Sequence, residues 1–423
     1  MMKLLIIADD FTGALDTGVQ FAAAGVQVKV ITKADCDLER ISPEIRVLVL
    51  DAETRHLDAE AAYAAVYETV RRARKAGIPH ILKKTDSALR GNVGAELSAL
   101  LDASGLQRLA FLPACPQMDR ITRNGVHYIN GLPAKQSVFG KDPYDPVRES
   151  EVEKLIHMQS SVPVRVIPSG ERAGDCFGDK TIDLYDAEDM EELRRTAAAL
   201  ADEGQLSIMA GCAGLGAVLP GVLKLEDRAK EQDITFGKGF LIACGSVNPI
   251  SIRQIDHAVD RGFQRHYLTP LQKLEPDYWD TEPGKEEFRK LTEECRRHER
   301  FILDSNDLPG RDDTQKYAQA RGFTREDLRQ RISCSMGRIL RDMLEEGICS
   351  NLMVTGGDTL LGFLRQMGVQ EMEPVCEMAP GTVLSRFIWK EKRYQMLSKS
   401  GGFGHEGLLV DLYRKFSEYQ EKK

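Results

Sequence analysis

Short apolar runs separated by longer amphipathic stretches make up most of the chain. Lys3 to Ala8 is rich in Ile and Leu and reads as a buried strand, and Ala14 to Gly25 reads as the helix that follows. The alternation recurs. Strands are predicted in "IRVLVLD", "PHILKK", "RLAFLPAC", "VRVIPS" and "LSIMAGC", and helices in "AEAAYAAVYETVRRARKAG", "NVGAELSALLDAS" and "AEDMEELRRTAAALADEG". That rhythm is the signature of βα units around a largely parallel sheet. It runs to about Pro220, gives way to the charged segment "KLEDRAKEQDITFGKG", and restarts at "FLIACG". The later strands are "HYLTP", "RFILDSN" and "NLMVTGG", and "REDLRQRISCSMGRILRDMLEEG" is a long helix. The fold class expected is therefore α/β in two domains, 1–228 and 238–423, each with a largely parallel sheet flanked by helices, and with the active site in the interdomain cleft.

Composition narrows the functional class. The 423 residues are 42% hydrophobic and 29% charged, with a formal net charge of -8, which argues against a general nucleic-acid surface. No stretch is long and apolar enough to cross a bilayer, and a cytoplasmic location is expected. The nine cysteines, at 36, 115, 176, 212, 244, 295, 334, 349 and 376, show no CxxC and no metal-ligand spacing to His, as suits a reducing compartment.

Polar clusters sit where strands end. In "IADDFTGALDTG", Asp9 and Asp10 follow the first strand, at the carboxyl edge where α/β sheets bind ligands. One short acceptor there suffices to cap the next helix. On an extended chain the two would point opposite ways, and Asp9 is expected to secure the turn through backbone N–H groups, leaving Asp10 for a ligand. "HILKKTDSALRGNVGAEL" concentrates Lys83, Lys84, Thr85, Asp86, Ser87 and Arg90, with one lysine facing the site and the other away. The helix start at Gly91 and Asn92 offers N–H groups to an anion. Glu53, Thr54 and Arg55 end a third strand, Arg55 presenting a planar fork suited to a carboxylate. Asp119, Arg120, Arg123 and Asn124 end a fourth, and His127 reads as ordinary packing. "QSVFGKDPYDPVRESEVEKL" reads as a structured loop whose Lys141 and Asp142 receive no role from pattern alone.

The second half offers glycines instead. Thr355, Gly356, Gly357, Asp358 and Thr359 lie between a strand and a helix, where absent Cβ atoms let backbone approach a ligand and Asp358 or Thr359 could cap the helix. Lys399, Ser400, Gly401, Gly402 and Gly404 form a second candidate cradle, with the lysine facing phosphate, and Ser246 and Asn248 precede another helix. There is no GxxxxGK[ST] motif, and "GCAGLGAVLP" reads GxxGxG rather than the dinucleotide GxGxxG.

Together "IADDFTGALDTG", "KKTDSALRGNVGAEL", "PACPQMDR", "GKDPYDPVRES", "CGSVNP", "TGGDT", "APGTV" and "SKSGGFG" resemble, in their order and spacing over nearly the whole chain, the four-carbon acid sugar kinase family. The resemblance implies a sugar-acid-binding N-terminal domain, an ATP-binding C-terminal domain and phosphorylation of the terminal hydroxyl of threonate, erythronate or an oxo-tetronate. It implies Asp10, Arg55, Lys83, Lys84, Thr85 and Asp86 as substrate residues, with Asp10, Lys83 and Asp86 catalytic. Ser246, Gly356, Gly357, Asp358, Thr359 and Gly402 are implied for ATP, and Mg²⁺ is expected to ride on the ATP phosphates. The partners expected are a small sugar acid and further copies of the chain, with neither nucleic acid nor membrane. A sensor that binds both ligands without turnover is the alternative.

Overall fold

In the computed structural model, which describes residues 2–142, 145–174, 179–227, 234–348 and 351–421, the first apolar run becomes β1 (Leu4–Ala8), buried along its whole length. The helix after it, α1 (Phe11–Ala23), begins three residues before the expected Ala14, because Asp10 accepts the Gly13 N–H and caps it. The chain separates into two compact units, Met1–Lys230 and Glu231–Lys423. Residues 228–233 of the charged segment, and Cys176 and Cys349, lie outside the described residues.

Unit one continues with β2 (Val28–Ile31), β3 (Val47–Asp51), α2 (Ala59–Lys75), β4 (His80–Lys84), α3 (Val93–Ser104) and β5 (Arg108–Leu112). A small antiparallel sheet of β6 (Arg120–Arg123), β7 (Val126–Ile129) and β8 (Leu132–Pro133) follows. Then come α4 (Val152–His157), β9 (Val164–Ile167), β10 (Thr181–Tyr185), α5 (Met190–Asp202), β11 (Ile208–Gly211) and α6 (Ala213–Val222). The main strands pair in the order β2-β3-β1-β4-β11-β5-β10-β9, all parallel. Leu5, Ile7, Leu48, Leu50, Val66, Ile81, Leu97 and Phe111 anchor the core on one side of this sheet. Strands covered by helices on both faces need apolar residues at every position, which is why β1 and β3 read as unbroken hydrophobic runs.

Unit two comprises β12 (Phe240–Cys244), α7 (Pro249–Asp260), β13 (Gln264–Tyr267), α8 (Pro270–Leu274), α9 (Glu282–Arg297), β14 (Arg300–Asp304), α10 (Asp313–Arg321) and α11 (Arg325–Glu345). It closes with β15 (Asn351–Thr355), α12 (Gly357–Met367), β16 (Glu371–Ala379), β17 (Thr382–Trp389), β18 (Lys392–Lys399) and α13 (Leu408–Glu421). The order is β13-β14-β12-β15-β18-β17-β16, parallel as far as β18, with β17 and β16 antiparallel. The sequence reading lacked β2, β6, β8, β10 and the meander β16 to β18.

Both units begin the same way. In each, the second strand is laid two places to one side of the first, the third fills the gap, and the fourth goes to the other side. The order therefore reverses between β1 and β4, and again between β12 and β15. Loops that leave neighbouring strands in opposite directions open a crevice at the carboxyl ends, where open α/β sheets bind ligands. The acidic pair and the lysine cluster flank the first crevice, and "CGSVNP" and "TGGDT" flank the second.

Candidate functional site

At the first crevice Asp9 and Asp10 converge on one arginine, Arg55. The chain turns into α1 immediately after β1, so Asp9 and Asp10 do not point apart. Arg55 Nε donates to Asp9 Oδ2 at 2.9 Å and Nη1 to Asp10 Oδ2 at 2.9 Å. Nη2 reaches Asp9 Oδ2 and Asp10 Oδ1 at 2.8 Å each. The expected division of labour is corrected at one point: the side chain that takes backbone N–H from the turn is Asp10, through Gly13 N at 3.0 Å, with Thr12 Oγ1 donating at 2.7 Å. Asp9 instead lies buried between Arg55 and Lys84, whose Nζ is 3.8 Å from its Oδ1. Asp10 keeps 21% of its side chain exposed. Burial opposes its charged form, but Arg55 and then Lys84 outweigh burial and hold its carboxyl below the usual range.

The two lysines of β4 separate as alternation requires. Lys84 is the one beside Asp9 and Asp10, and its Nζ also donates to the Thr85 carbonyl at 2.6 Å. Burial works against its charge, and the two aspartates more than restore it. Lys83 is wholly buried, with Nζ 3.0 Å from Glu96 Oε2 on α3 and 2.9 Å from the Lys84 carbonyl. Glu96 also accepts from Thr54 Oγ1. Thr85 Oγ1 is buried without a hydrogen-bond partner beside this cluster.

Asp86 accepts the backbone N–H groups of Ala88 and Arg90 at 3.2 Å each, and the Nε and Nη2 of Arg90 at 2.8 and 3.0 Å. Arg55 Nη2 lies 3.5 Å from its other side. Burial is overcome by Arg90 and Arg55, and its carboxyl is held well below the ordinary value. Arg120 donates to Ser87 Oγ and stacks on Phe139. The anion site expected at the start of α3 is not formed there. Gln159 Oε1 takes the Gly94 N–H at 3.1 Å, while Asn92 Nδ2 donates to the Thr54 and Leu57 carbonyls. His127 is buried, bonded to the Ser87 carbonyl and Thr122 Oγ1, as packing requires.

At the second crevice the glycine turns of three parallel strands meet. A Cβ on Gly356 would lie 3.2 Å from Gly245 C and Ser246 N, one on Gly245 would strike Thr359 Oγ1, and one on Gly401 would come within 2.5 Å of Ser246 Oγ. The carboxyl ends of β12, β15 and β18 are thus packed backbone to backbone, which only glycine permits. Neither Asp358 nor Thr359 caps α12, whose N-cap is Gly356 at φ +105° with no side-chain acceptor. Asp358 pairs with Arg329 Nη1 at 2.6 Å, and Ser333 Oγ donates to the Asp358 carbonyl at 2.6 Å. Asn248 caps α7 through Ile250 N at 2.9 Å. Lys399 does not face an open cradle. It is buried, donating to the Ser400 carbonyl at 2.9 Å and to the Gly401 carbonyl and Ser251 Oγ at 3.3 Å, and so fixes the turn from beneath. Gly402 is half-buried in the same turn. The residues that sequence reasoning passed over, Arg329 and Ser333 on α11, carry no local signal because they reach this site from a helix distant in the chain.

Two family models match the two units. A sugar-binding N-terminal domain matches residues 4–219, and a nucleotide-binding C-terminal domain matches residues 241–409. The chain is 28% identical over 426 residues to D-threonate kinase of Salmonella typhimurium, covering 97% of each. It is 26% identical over 415 residues to D-erythronate kinase of Heliobacterium modesticaldum, covering 92% of this chain and 91% of that one. A crystal structure from Salmonella typhimurium LT2 shares the fold with a TM-score of 0.77 at 18% identity, covering 98% of this chain and 100% of that one. Among the described residues no helix is long and apolar enough to cross a membrane. With sugar-binding and nucleotide-binding models falling on the two strand-end crevices, and with these relatives aligned over nearly its full length, the chain belongs to the four-carbon acid sugar kinase family.

Proposed function

We propose that the protein transfers the terminal phosphoryl group of ATP to the terminal (4-) hydroxyl of a four-carbon sugar acid such as threonate, erythronate or an oxo-tetronate. Residues 1–228 would hold the acid and 238–423 the nucleotide. The observation that carries the reading is the convergence of Asp9, Asp10, Lys84 and Asp86 around Arg55 at the β1/β4 crevice. Phosphoryl transfer needs alignment and charge neutralisation more than covalent chemistry, and this cluster supplies both. Asp10, part-exposed and ionised, orients the attacking hydroxyl and accepts its proton late, as a carboxylate of lowered basicity can when the phosphoryl group has already arrived. Lys84 offers positive charge beside it. Arg55, bonded by all three nitrogens, keeps Asp9 and Asp10 in register. Lys83, Thr85 and Asp86 complete the substrate set, Lys83 acting from beneath through Glu96 and the Lys84 carbonyl, and Asp86 by fixing Arg90.

On the nucleotide side, Ser246, Gly356, Gly357, Asp358, Thr359 and Gly402 would line the phosphate cradle, with α12 presenting N–H groups that no side chain caps. Mg²⁺ supplies neutralisation of phosphate charge when bound. Such an ion would be carried mainly by the ATP phosphates, since Mg²⁺ keeps several of its waters and needs only one or two protein oxygens. A cytoplasmic location accords with the seven described cysteines, all free. The test is direct: purified protein with Mg-ATP and a panel of threonate, erythronate and 2- or 3-oxo-tetronates should release ADP and a monophosphate ester. Stoichiometric binding of both ligands without ADP would instead identify a sensor.

A further inference from the structure

We infer that Arg90 receives the carboxylate of the sugar acid, and that Asp142 holds its place while the acid is absent. The inference rests on the sugar-acid reading above and assigns the anionic end of the substrate, which that reading leaves without a partner. Arg55 has the right shape for a carboxylate, but its Nε, Nη1 and Nη2 already donate to Asp9 and Asp10. Arg90 is arranged differently. Its Nε and Nη2 edge is locked on Asp86, which is itself fixed by two backbone N–H groups, and its plane lies 5.1 Å from the centre of the Phe139 ring. That leaves the position of Nη1 predetermined, and Nη1 meets Asp142 Oδ2 at 3.1 Å.

Asp142 comes from a stretch 52 residues further on, the "GKDP" segment to which pattern gave no role. Its Oδ1 accepts the Asp145 N–H at 3.0 Å, and the Asp145 carboxylate meets His56 Nδ1 at 2.7 Å. Among the described arginine–carboxylate pairs of this cluster, Arg90–Asp142 is the one in which both side chains are well exposed to water, 21% and 17%. Exchange of an internal carboxylate for a ligand carboxylate costs least where both partners are already hydrated. Asp86 bridges Arg90 to Arg55, and Arg55 holds Asp10. One continuous charge network therefore runs from the group that would read the carboxylate to the group that would orient the hydroxyl at the far end of the same short molecule.

Titration calorimetry of the full chain with the four-carbon acid that it turns over tests this through two substitutions of opposite expected sign. Arg90→Lys keeps the charge but loses the fixed fork, and the acid's Kd should rise about tenfold or more. Asp142→Asn keeps the Oδ1 acceptor for Asp145 N–H and removes the competing charge, so the acid's Kd should fall several-fold. ATP affinity should be unchanged in both. A Kd that is unaltered in Arg90→Lys, or that rises or stays level in Asp142→Asn, overturns the inference. If Arg90→Lys does not fold, Asp142→Asn decides alone by the direction of its change. Failure of the kinase reading looks different: wild-type protein would then turn over no four-carbon acid at all.

Discussion

Asp10 and Arg55, 45 residues apart in sequence, meet at two points, Nη1 to Oδ2 at 2.9 Å and Nη2 to Oδ1 at 2.8 Å. The same carboxylate caps α1 through Gly13 N, so its local and long-range roles can be separated by choice of substituent. Asp10→Asn retains a cap acceptor and loses the charge, whereas Asp10→Ala loses both. Asp10→Asn should fold, bind ATP normally and lose about 10²-fold or more of kcat/KM for the acid. Asp10→Ala should be further destabilised by about 1 kcal/mol, the worth of an N-cap. Paired melts and kinetics check this, and full activity in Asp10→Asn would remove Asp10 from the chemistry.

Arg55→Lys examines the organiser rather than the organised. A lysine is a point charge and cannot hold two carboxylates in one plane. Because the charge survives, the cost should fall below the roughly 3–5 kcal/mol of an orphaned buried pair, at about 1–3 kcal/mol. A lowered urea midpoint together with a raised KM for the acid is the expected result. An unchanged midpoint would mean that Asp9 and Asp10 do not depend on Arg55 for their arrangement.

His127 gives the molecule a pH dependence of defined sign. Burial lowers its pKa to about 4 from an ordinary 6.5, outweighing the hydrogen bond to the Ser87 carbonyl, which favours the charged ring. The unfolded chain therefore takes up a proton below pH 6.5 while the folded chain does not until about pH 4. Stability should decline as pH falls through that window, at about 1.4 kcal/mol per pH unit, for roughly 3 kcal/mol in all. Asp86, with its lowered carboxyl, adds a loss in the same direction below about pH 4. Urea titrations between pH 7 and pH 4 should show the steeper slope in wild type than in His127→Gln. Equal slopes would place the acid sensitivity elsewhere.

Much of this architecture can be read from the sequence because buried parallel strands announce themselves as apolar runs and their carboxyl ends as abrupt polar clusters. What escaped has particular causes. Alternation says that one of Lys83 and Lys84 faces the site, but not which, since β4 is covered on both faces and Glu96 waits under the other one. The convergence of Asp9 and Asp10 depends on the chain turning at Asp10, and a capping turn and a continuing strand look alike before the partner Arg55 is known. The β17–β18 hairpin was missed for a different reason. Its two-residue loop, Lys390-Glu391, has φ +47° and +64°, the geometry that normally calls for Asn-Gly, so the usual turn signal is missing. Lys399 was misread because a lysine among glycines suggests phosphate, whereas here its ammonium satisfies the carbonyls of the turn itself.

The nucleotide cradle can be tested with an internal control. Gly356 and Gly368 bracket α12, and both have positive φ, +105° and +67°. A Cβ at 368 would enter open space, while one at 356 would press on Gly245 C and Ser246 N at 3.2 Å. Alanine at either position incurs the backbone strain of that region, about 1–3 kcal/mol, so both variants should melt earlier. Only Gly356→Ala should also part the β12 and β15 turns and close the space in which phosphate would lie. Its Kd for ATP should therefore rise about tenfold or more, with affinity for the sugar acid unchanged, while Gly368→Ala binds ATP like wild type. Gly402→Val, which puts a branched side chain into the neighbouring turn, should follow Gly356→Ala. If all three variants lose stability but none loses ATP, the glycines serve only the close packing of β12, β15 and β18, and the phosphates must be held by other residues of the second unit.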